Sequence, residues 1–155
     1  MKEEIRINGG QIVGEKKATY EPAPEKDTGK KGGELSTMSF PSGCGLYLIV
    51  YFNYHSGTYS DVVGSSMTSC TYSVYYIGMD SVLNKYDTFW LWWDDVDWDS
   101  NGAYWVSSLT TTTNFLCTTG NYSGFSGSTS GQLYSGGTRY TAAVYDGDYY
   151  WNCGN

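Results

Sequence analysis

The stretch FWLWWDDVDWDSNGAYWV, residues 89–106, holds five of the six tryptophans of this 155-residue chain, together with four aspartates. Near its centre stands the pair Asn101-Gly102. An Asn-Gly pair between two aromatic runs is the strongest short-range hairpin signal, because both residues accept the positive φ of a type I′ turn. The pattern therefore predicts a two-stranded ribbon with its tip at Asn101-Gly102.

The predicted ribbon places acids and rings at different distances from its turn. In its register Trp98 faces Trp105, the acids crowd toward the turn, and most rings lie farther from it. Large rings mostly bury area, but six tryptophans are too many for the core of one small domain. We therefore expect Trp92 and Trp105 inside the domain, and Trp98 and Tyr104 near an exposed tip.

On the N-terminal side of the ribbon, strand signals follow one another closely. Residues 45–55, GLYLIVYFNYH, are apolar on both faces and predict a central strand, with Leu46, Leu48, Val50 and Phe52 on one face. Shorter strands are predicted at 58–63 and 69–77. Residues 79–86 predict the one helical turn of the chain.

On the C-terminal side, residues 118–137 are rich in Gly and Ser and predict either a flexible loop or a glycine-broken edge region. A second hairpin is predicted over 138–153, with its turn at Asp146-Gly147. This succession of short strands predicts an all-β fold, a single antiparallel sandwich or barrel-like domain preceded by an extended N-terminal arm.

Residues 1–42 differ from the rest of the chain in charge and apolar content. They hold seven basic and seven acidic residues, and the segment TYEPAPEKDTGKKGGE (19–34) contains almost nothing apolar. Such a segment buries too little surface to offset its ordering entropy. We interpret residues 1–42 as an extended anchoring and assembly arm, with a disordered tail or linker as the alternative. Residues 43–155 are interpreted as a β-rich head domain.

The head domain is acidic. It holds nine aspartates, no glutamate and only Lys85 and Arg139 as basic residues, which gives 2 − 9 = −7. This charge excludes the electrostatic footprint of a nucleic-acid or anionic-membrane partner. No stretch is long and apolar enough to predict a membrane span. The abundance of Tyr, Ser and Thr is typical of adhesive and extracellular surfaces.

The four cysteines stand far apart, without a C-x-x-C motif, so neither a zinc ribbon nor a thioredoxin-like pair is indicated. Two disulfides, in any of three connectivities, and four buried thiols both remain open. The N-terminus MKEEIRINGG shows no secretory signal. We expect a protein at a virion or extracellular surface, made without a visible signal peptide or after its removal. The cysteines are Cys44, Cys70, Cys117 and Cys153.

The residues expected to contact a ligand lie at the predicted tip and in the 118–137 segment. Exposed rings stack on the apolar faces of sugars while neighbouring Asp and Asn side chains bind hydroxyls, although the same rings also suit a core. The candidates are Trp98, Asp99, Asn101, Tyr104, Tyr122, Phe125 and Tyr134.

Asp95, Asp97 and Asp99 would share one face of a strand, where crowded carboxylates repel one another unless a cation bridges them. They are candidates for a surface Ca²⁺ site, and no other cofactor is expected. An EF-hand is excluded, because Ser100 and Val106 stand where that motif requires Gly and Glu. The alternative is a solvated acidic turn that blocks edge-to-edge aggregation.

No motif fixes a catalytic activity. Asp94 and Asp97 are the pair that would serve as acid and base of a glycosidase, but no cleft is evident at a hairpin tip. His55 stands beside Ser56, which is no triad, and there is no GxSxG motif. We therefore expect a non-enzymatic protein.

The layout resembles, by analogy, virion accessory proteins of tailed phages: a short anchoring arm followed by a β head rich in Gly, Ser, Thr and Tyr. The resemblance implies a structural or adhesive protein of decoration, head-fibre or tail-fibre type. It implies a homo-oligomer attached to a larger protein assembly through residues 1–42, with a head that faces solvent or a surface glycan. The alternatives are a secreted carbohydrate-binding module and an Asp-dependent glycosidase.

Overall fold

The computed structural model describes residues 10–12, 16–23, 43–54, 60–87, 91–117 and 119–154. Within these ranges every regular element is a β-strand, which confirms the all-β prediction. The strands are β1 (Gly10–Ile12), β2 (Lys16–Thr19), β3 (Glu21–Pro22), β4 (Cys44–Tyr54), β5 (Ser60–Asp87), β6 (Trp92–Cys117), β7 (Thr119–Ser135) and β8 (Thr138–Gly154).

The strands form one antiparallel sheet that closes almost completely into a barrel. Its order is β1-β4-β5-β7-β8-β3, with β2 also paired to β4 and β6 also paired to β5. Residues 16–22 complete the circuit, because β2 pairs with β4 while β3 pairs with β8. Closure of this kind reduces the unpaired edge that would otherwise favour aggregation, although β6 is paired on one side only over the described residues.

The longest elements are β5, with 28 residues, and β6, with 26 residues. They form one hairpin that pairs from Ser60 with Cys117 to Asp87 with Trp92. Strand β4 pairs with the first half of β5, and β7 pairs with its second half. The register shift after Ser69 lies between these halves, where a bulge lets the hairpin bend from one part of the barrel into the other.

Both predicted two-residue turns are wrong, because they lie inside continuous strands. Asn101-Gly102 lies in the middle of β6, paired with β5. Asp146-Gly147 lies within β8, whose partner is β7. The turn between β7 and β8 is instead at Gly136-Gly137, where both residues adopt the positive φ that glycine tolerates without steric cost. Long-range pairing along whole strands outweighs the local preference of a turn dipeptide.

Three other local predictions are also corrected. The predicted helical turn at 79–86 is part of β5, and so are residues 60–63 and 69–77, which were predicted in two separate strands. Residues 119–135, predicted as part of a loop or edge region, form strand β7 between β5 and β8, and the turn follows at Gly136-Gly137. Glycine permits this close packing: a Cβ at Gly127 would lie 2.8 Å from a methyl of Val50. The predicted strand at 45–55 is confirmed as β4.

The barrel interior is mainly apolar but contains a series of hydrogen-bonded hydroxyl groups. Leu46, Leu48 and Val50 of β4 point inward, as the alternation predicts. Ser66, Thr129, Ser81 and Thr111 are all buried and are linked in that order by hydrogen bonds of 2.5, 2.8 and 2.6 Å. Each of these four hydroxyls therefore has a hydrogen-bond partner, which removes most of the free-energy cost of its burial.

The described part of the predicted arm is paired with strands of the predicted head. Tyr20 is 2% exposed, and its Oη lies 2.7 Å from Oγ1 of Thr68 in the core. Its ring also lies over Gly131, where a Cβ would meet the Tyr20 hydroxyl. The rest of the arm lies outside the described residues, and the anchoring role of residues 1–42 stays a prediction.

All four cysteines are in disulfides, which resolves the pairing that the sequence leaves open. Cys44–Cys70 joins β4 to β5, and Cys117–Cys153 joins the end of β6 to the end of β8. Each bond links strands that are distant in sequence, so both restrict the unfolded chain.

A buried carboxylate holds the closing side of the barrel. Asp146 of β8 is fully buried, and its Oδ2 accepts the backbone N–H of Val50 on β4 at 3.0 Å. Its Oδ1 accepts the hydroxyl of Tyr149 at 2.5 Å and lies 3.4 Å from Nζ of Lys16 on β2. A buried charge is tolerated when donors surround it in this way, so Asp146 ties β8 to β4 and β2.

Candidate functional site

The most exposed large rings of the described residues stand on the β5–β6 hairpin. Trp98 is 70% exposed, Trp105 is 67% exposed and Tyr104 is 62% exposed. Trp92 is 52% exposed as well, so the prediction that Trp92 and Trp105 are inside is wrong. The interior is filled mainly by aliphatic side chains together with Phe125, Tyr20 and Tyr140. Over the described residues β6 is paired only with β5, and the rings in its first half lie outside.

The pairing register places several of these rings on one face. Side chains of directly paired residues project to the same side of a sheet. Tyr76 pairs with Tyr104 on one neighbour and with Tyr134 on the other, and the ring centroids are 4.8 and 6.2 Å apart. Ile77 and Met79, which alternate with Tyr76 along β5, are in the core. The three tyrosines therefore form an aromatic row on the outside of the barrel.

A second row lies six residues further along the same strands. Trp98 pairs with Val82 of β5, Val82 pairs with Ser128 of β7, and Ser128 pairs with Tyr145 of β8. Tyr145 is half exposed, and its hydroxyl donates to the carboxylate of Asp148. Desolvation raises the pKa of Tyr145, and the Asp148 bond raises it further, so this hydroxyl stays protonated at neutral pH.

Between the two rows the outer surface is made of small and polar residues. We call this region, with its two aromatic rows, the outer groove. Its floor includes Gly78, Gly102, Ser130 and Ala143, and Asp80 lies near its centre. A cavity of about 400 Å³ over this floor adjoins a second of about 370 Å³, which extends beside Tyr145.

The glycines of the floor are needed for the position of one ring. A Cβ at Gly102 would lie 2.4 Å from Oη of Tyr76, and a Cβ at Gly78 would lie 3.0 Å from the same atom. The Tyr76 ring therefore lies flat over these glycines, and a side chain at either position would displace it.

The polar groups of the outer groove are held by side-chain hydrogen bonds. The hydroxyl of Ser100 donates to Oδ1 of Asp80 at 2.5 Å. Nε of Arg139 donates to Oε1 of Gln132 at 2.9 Å. Each of these groups keeps further donor or acceptor capacity, so a hydroxyl-bearing ligand would find both in the groove.

The predicted ligand residues do not form one site. Trp98, Tyr104 and Tyr134 lie in the outer groove, but Asp99 and Asn101 project from the opposite face of β6. Oδ2 of Asp99 accepts the backbone N–H of Thr112 at 2.9 Å, and Nδ2 of Asn101 donates to the carbonyl oxygen of Thr110 at 3.1 Å. These contacts join the first half of β6 to its second half, so in the described structure the two side chains stabilise the bend of the β5–β6 hairpin.

Two further candidates lie elsewhere. Phe125 is fully buried and packs against Phe115 and Trp151, with centroid distances of 5.7 and 5.9 Å, so it belongs to the core. Tyr122 is exposed and stacks on Tyr150, with centroids 5.7 Å apart. That stack lies near the far end of β7, six residues from Ser128.

The three candidate metal ligands are separated by a bulge. The register shift opposite Leu83 and Asn84 turns Asp95 to the outer face, where it accepts a hydrogen bond from Nδ2 of Asn84. Asp97 keeps the face of Asp99, and its Oδ2 accepts the backbone N–H of Asn114 at 2.8 Å. Among the residues that the structure describes, no group of three His, Cys, Asp or Glu side chains is placed to hold a metal ion.

The two candidate acids of a glycosidase also have partners. Asp94 accepts the indole N–H of Trp92 at 3.0 Å, and Asp97 is bonded to the backbone of Asn114. Both contacts are structural and neither carboxylate lines the cavities of the outer groove.

Sequence patterns did not indicate Tyr76, Asp80, Gln132 or Tyr145 as site residues. They come from three different strands, and they meet only through the pairing of β5 with β7 and of β7 with β8. Only the pairing register of these strands places the residues together, and that register cannot be deduced from the local sequence.

Comparison of the chain with protein-family models, with curated proteins and with solved structures gives no match. Across the described ranges, no helix has the length and apolar character that crossing a membrane requires.

Proposed function

We propose that this protein is a non-enzymatic structural or adhesive surface protein of virion accessory type, and that the outer groove is its contact surface. The observation that carries the proposal is the exposure of Trp98 and Tyr104 on one face of a nearly closed barrel. Rigid aromatic side chains supply large contact area at low entropic cost, and exposing them to water without a partner is unfavourable.

Two further features support this proposal. Two disulfides suit an oxidising environment outside the cytosol. The acidic surface with exposed Tyr and Trp suits contact with uncharged, hydroxyl-rich material better than contact with polyanions. A secreted carbohydrate-binding module would share both features. It would differ in being a free monomer, whereas the virion accessory protein would be an oligomer attached to a larger particle.

Adhesion is tested on a panel of immobilised bacterial cells, polysaccharides and protein-coated surfaces. We expect wild type and Trp92→Ala to be retained on the same member of the panel, and Trp98→Ala/Tyr104→Ala to be retained at least about tenfold less. Trp92→Ala is the matched control, since it removes an exposed tryptophan from the end of β6, away from the groove. Melting curves check that each variant is folded.

Retention that is equal in wild type and in the double variant contradicts the proposal, and so does a wild-type protein that adheres to nothing. Enzymatic activity is tested separately by incubating the retained polysaccharide with the protein and measuring new reducing ends. Their appearance contradicts the non-enzymatic assignment.

One part of the predicted anchor (residues 1–42), its first nine residues, is tested with a chain that begins at residue 10. This truncation keeps residues 16–22, which pair with β4 and β8. We expect the truncated protein to melt at the wild-type temperature and to lose attachment to its assembly. Unchanged attachment contradicts an anchoring role for the first nine residues.

A further inference from the structure

The outer groove has the dimensions of a site for an extended ligand. Trp98 and Tyr104 are six residues apart on β6, which corresponds to about 20 Å at roughly 3.4 Å per residue. The floor crosses four paired strands, β6, β5, β7 and β8, or about 14 Å at roughly 4.8 Å per strand. A single small molecule would contact one aromatic row, whereas an oligomer of several rings would span both.

The chemistry of the groove narrows the class of ligand. Its aromatic rows offer apolar ring faces, and its centre offers a carboxylate at Asp80 and an amide at Gln132. A sugar ring is complementary to both, because it has apolar C–H faces and hydroxyl edges that donate to carboxylates and exchange hydrogen bonds with amides. This combination differs from the deep apolar pockets that anchor most small-molecule ligands.

Two other ligand classes fit less well. An extended peptide adds to an unpaired strand edge, which β6 offers beside the groove, but the strands that carry Asp80 and Gln132, β5 and β7, are paired on both sides there, so a peptide would not cross the floor. An anionic chain would meet two carboxylates, Asp80 on the floor and Asp148 beside Tyr145, against the one guanidinium of Arg139 among the described groove residues. Like charges at this distance disfavour sulfated, phosphorylated or sialylated polymers.

We infer that the outer groove binds a neutral oligosaccharide that runs along the strands, with Trp98 and Tyr104 stacking on separate sugar rings and Asp80 accepting hydrogen bonds from hydroxyls between them. This inference rests on the proposed adhesive function, to which it adds the ligand class and the binding residues. Tyr76 acts as a positioning residue: its ring lies over Gly78 and Gly102 and packs beside the ring of Tyr104, with the two centroids 4.8 Å apart.

The inference is tested with an array of neutral and anionic oligosaccharides, followed by titration calorimetry with the best binder. We expect a neutral oligosaccharide to bind the wild type and the Trp92→Ala control equally. Trp98→Ala, Tyr104→Ala and Asp80→Asn should each weaken binding about tenfold or more. Gly102→Ala should weaken it as well, with little change in melting temperature, because it displaces Tyr76 within an exposed surface.

Each alternative result has a separate meaning. Preference for anionic oligosaccharides, or binding that Trp98→Ala leaves unchanged, overturns the inference about the groove. Absence of binding to every oligosaccharide while adhesion to the panel depends on Trp98 and Tyr104 overturns the ligand class and leaves the proposed function intact. Absence of both binding and adhesion overturns the inference together with the proposed function.

Discussion

Asp146 offers a sharp test of how the barrel closes. Its carboxylate is fully buried and accepts hydrogen bonds from the backbone of Val50 and the hydroxyl of Tyr149, with Lys16 nearby. In Asp146→Ala both donors lose their charged acceptor, and the Val50 N–H stays buried between strands. We therefore expect this substitution to destabilise the fold strongly.

The magnitude follows from the number of bonds lost. A hydrogen bond to a charged group contributes about 1.5 to 3 kcal/mol, so the loss of two gives about 3 to 6 kcal/mol. The whole free energy of unfolding of a domain is about 5 to 15 kcal/mol, so the variant should be marginally folded. Asp146→Asn should cost less, because its amide oxygen still accepts from Val50 and its NH₂ donates to the Tyr149 oxygen.

Urea denaturation with the disulfides intact measures these differences. Lys16→Met is the control for the ion pair: Lys16 is half exposed and 3.4 Å from Asp146, so its loss should cost at most about 1 kcal/mol. An Asp146→Ala variant within about 1 kcal/mol of wild type would refute the reasoning. So would a Lys16→Met variant as unstable as Asp146→Ala, since the ion pair would then dominate.

Three other predictions concern the stability of the barrel. Tyr20→Phe removes the hydrogen bond to Thr68 and should lower the free energy of unfolding by about 1 kcal/mol in urea titrations, and an unchanged value would mean that the bond contributes nothing. Burial raises the pKa of Tyr20 to about 12 from 10.0, so the unfolded chain loses this proton first; the contribution of Tyr20 to stability, measured as the difference between wild type and Tyr20→Phe, should be constant below pH 10 and fall by about 1.4 kcal/mol per pH unit from 10 to 12. Spectroscopic titration should show at least three such late tyrosines, and ordinary values for all would contradict this. Reduction of the disulfides, with sequence separations of 26 and 36, should cost about 3.5 to 4 kcal/mol each, and equal melting with and without reductant would show that they contribute little. The late tyrosines are Tyr20, Tyr51 and Tyr149.

The sequence predicts the all-β class of fold because composition and strand propensity are properties of short segments, which do not depend on how the strands pair. The alternation in 45–55 correctly places Leu46, Leu48 and Val50 in the core. The turns were predicted wrongly because Asn101-Gly102 and Asp146-Gly147 have strong local preferences that the partner strands override. No short window of sequence reveals that a strand continues for 28 residues.

The same limit applies to interior residues. Ser66, Ser81 and Thr129 carry no sequence signal of burial, yet they lie inside and satisfy one another through hydrogen bonds. The glycines of 118–137 predicted a flexible loop or an edge region, yet Gly127 and Gly131 are where Val50 and Tyr20 approach β7. Small and polar residues in this barrel thus mark close packing between strands, a role that composition does not distinguish from flexibility.

Part of the candidate site could be predicted from the aromatic stretch alone. Trp98 and Tyr104 were expected to be exposed, and they are. Asp99 and Asn101 were grouped with them because a hairpin tip would bring all four together, whereas a continuous strand sends alternate residues to opposite faces. Asp80 and Gln132 were missed because only the pairing of distant strands places them beside the rings.

The central claim, that the outer groove is the contact surface, is tested most directly by oxidative footprinting of each tryptophan. The measurement is made with and without the polysaccharide of the adhesion panel that retains the wild-type protein. In the free protein we expect Trp98 and Trp92 both to be modified readily, since 70% and 52% of their surfaces are exposed. On binding, Trp98 should become protected while Trp92 stays reactive. Protection of Trp92 with Trp98 still reactive, or a Trp98 that resists modification in the free protein, would contradict the claim.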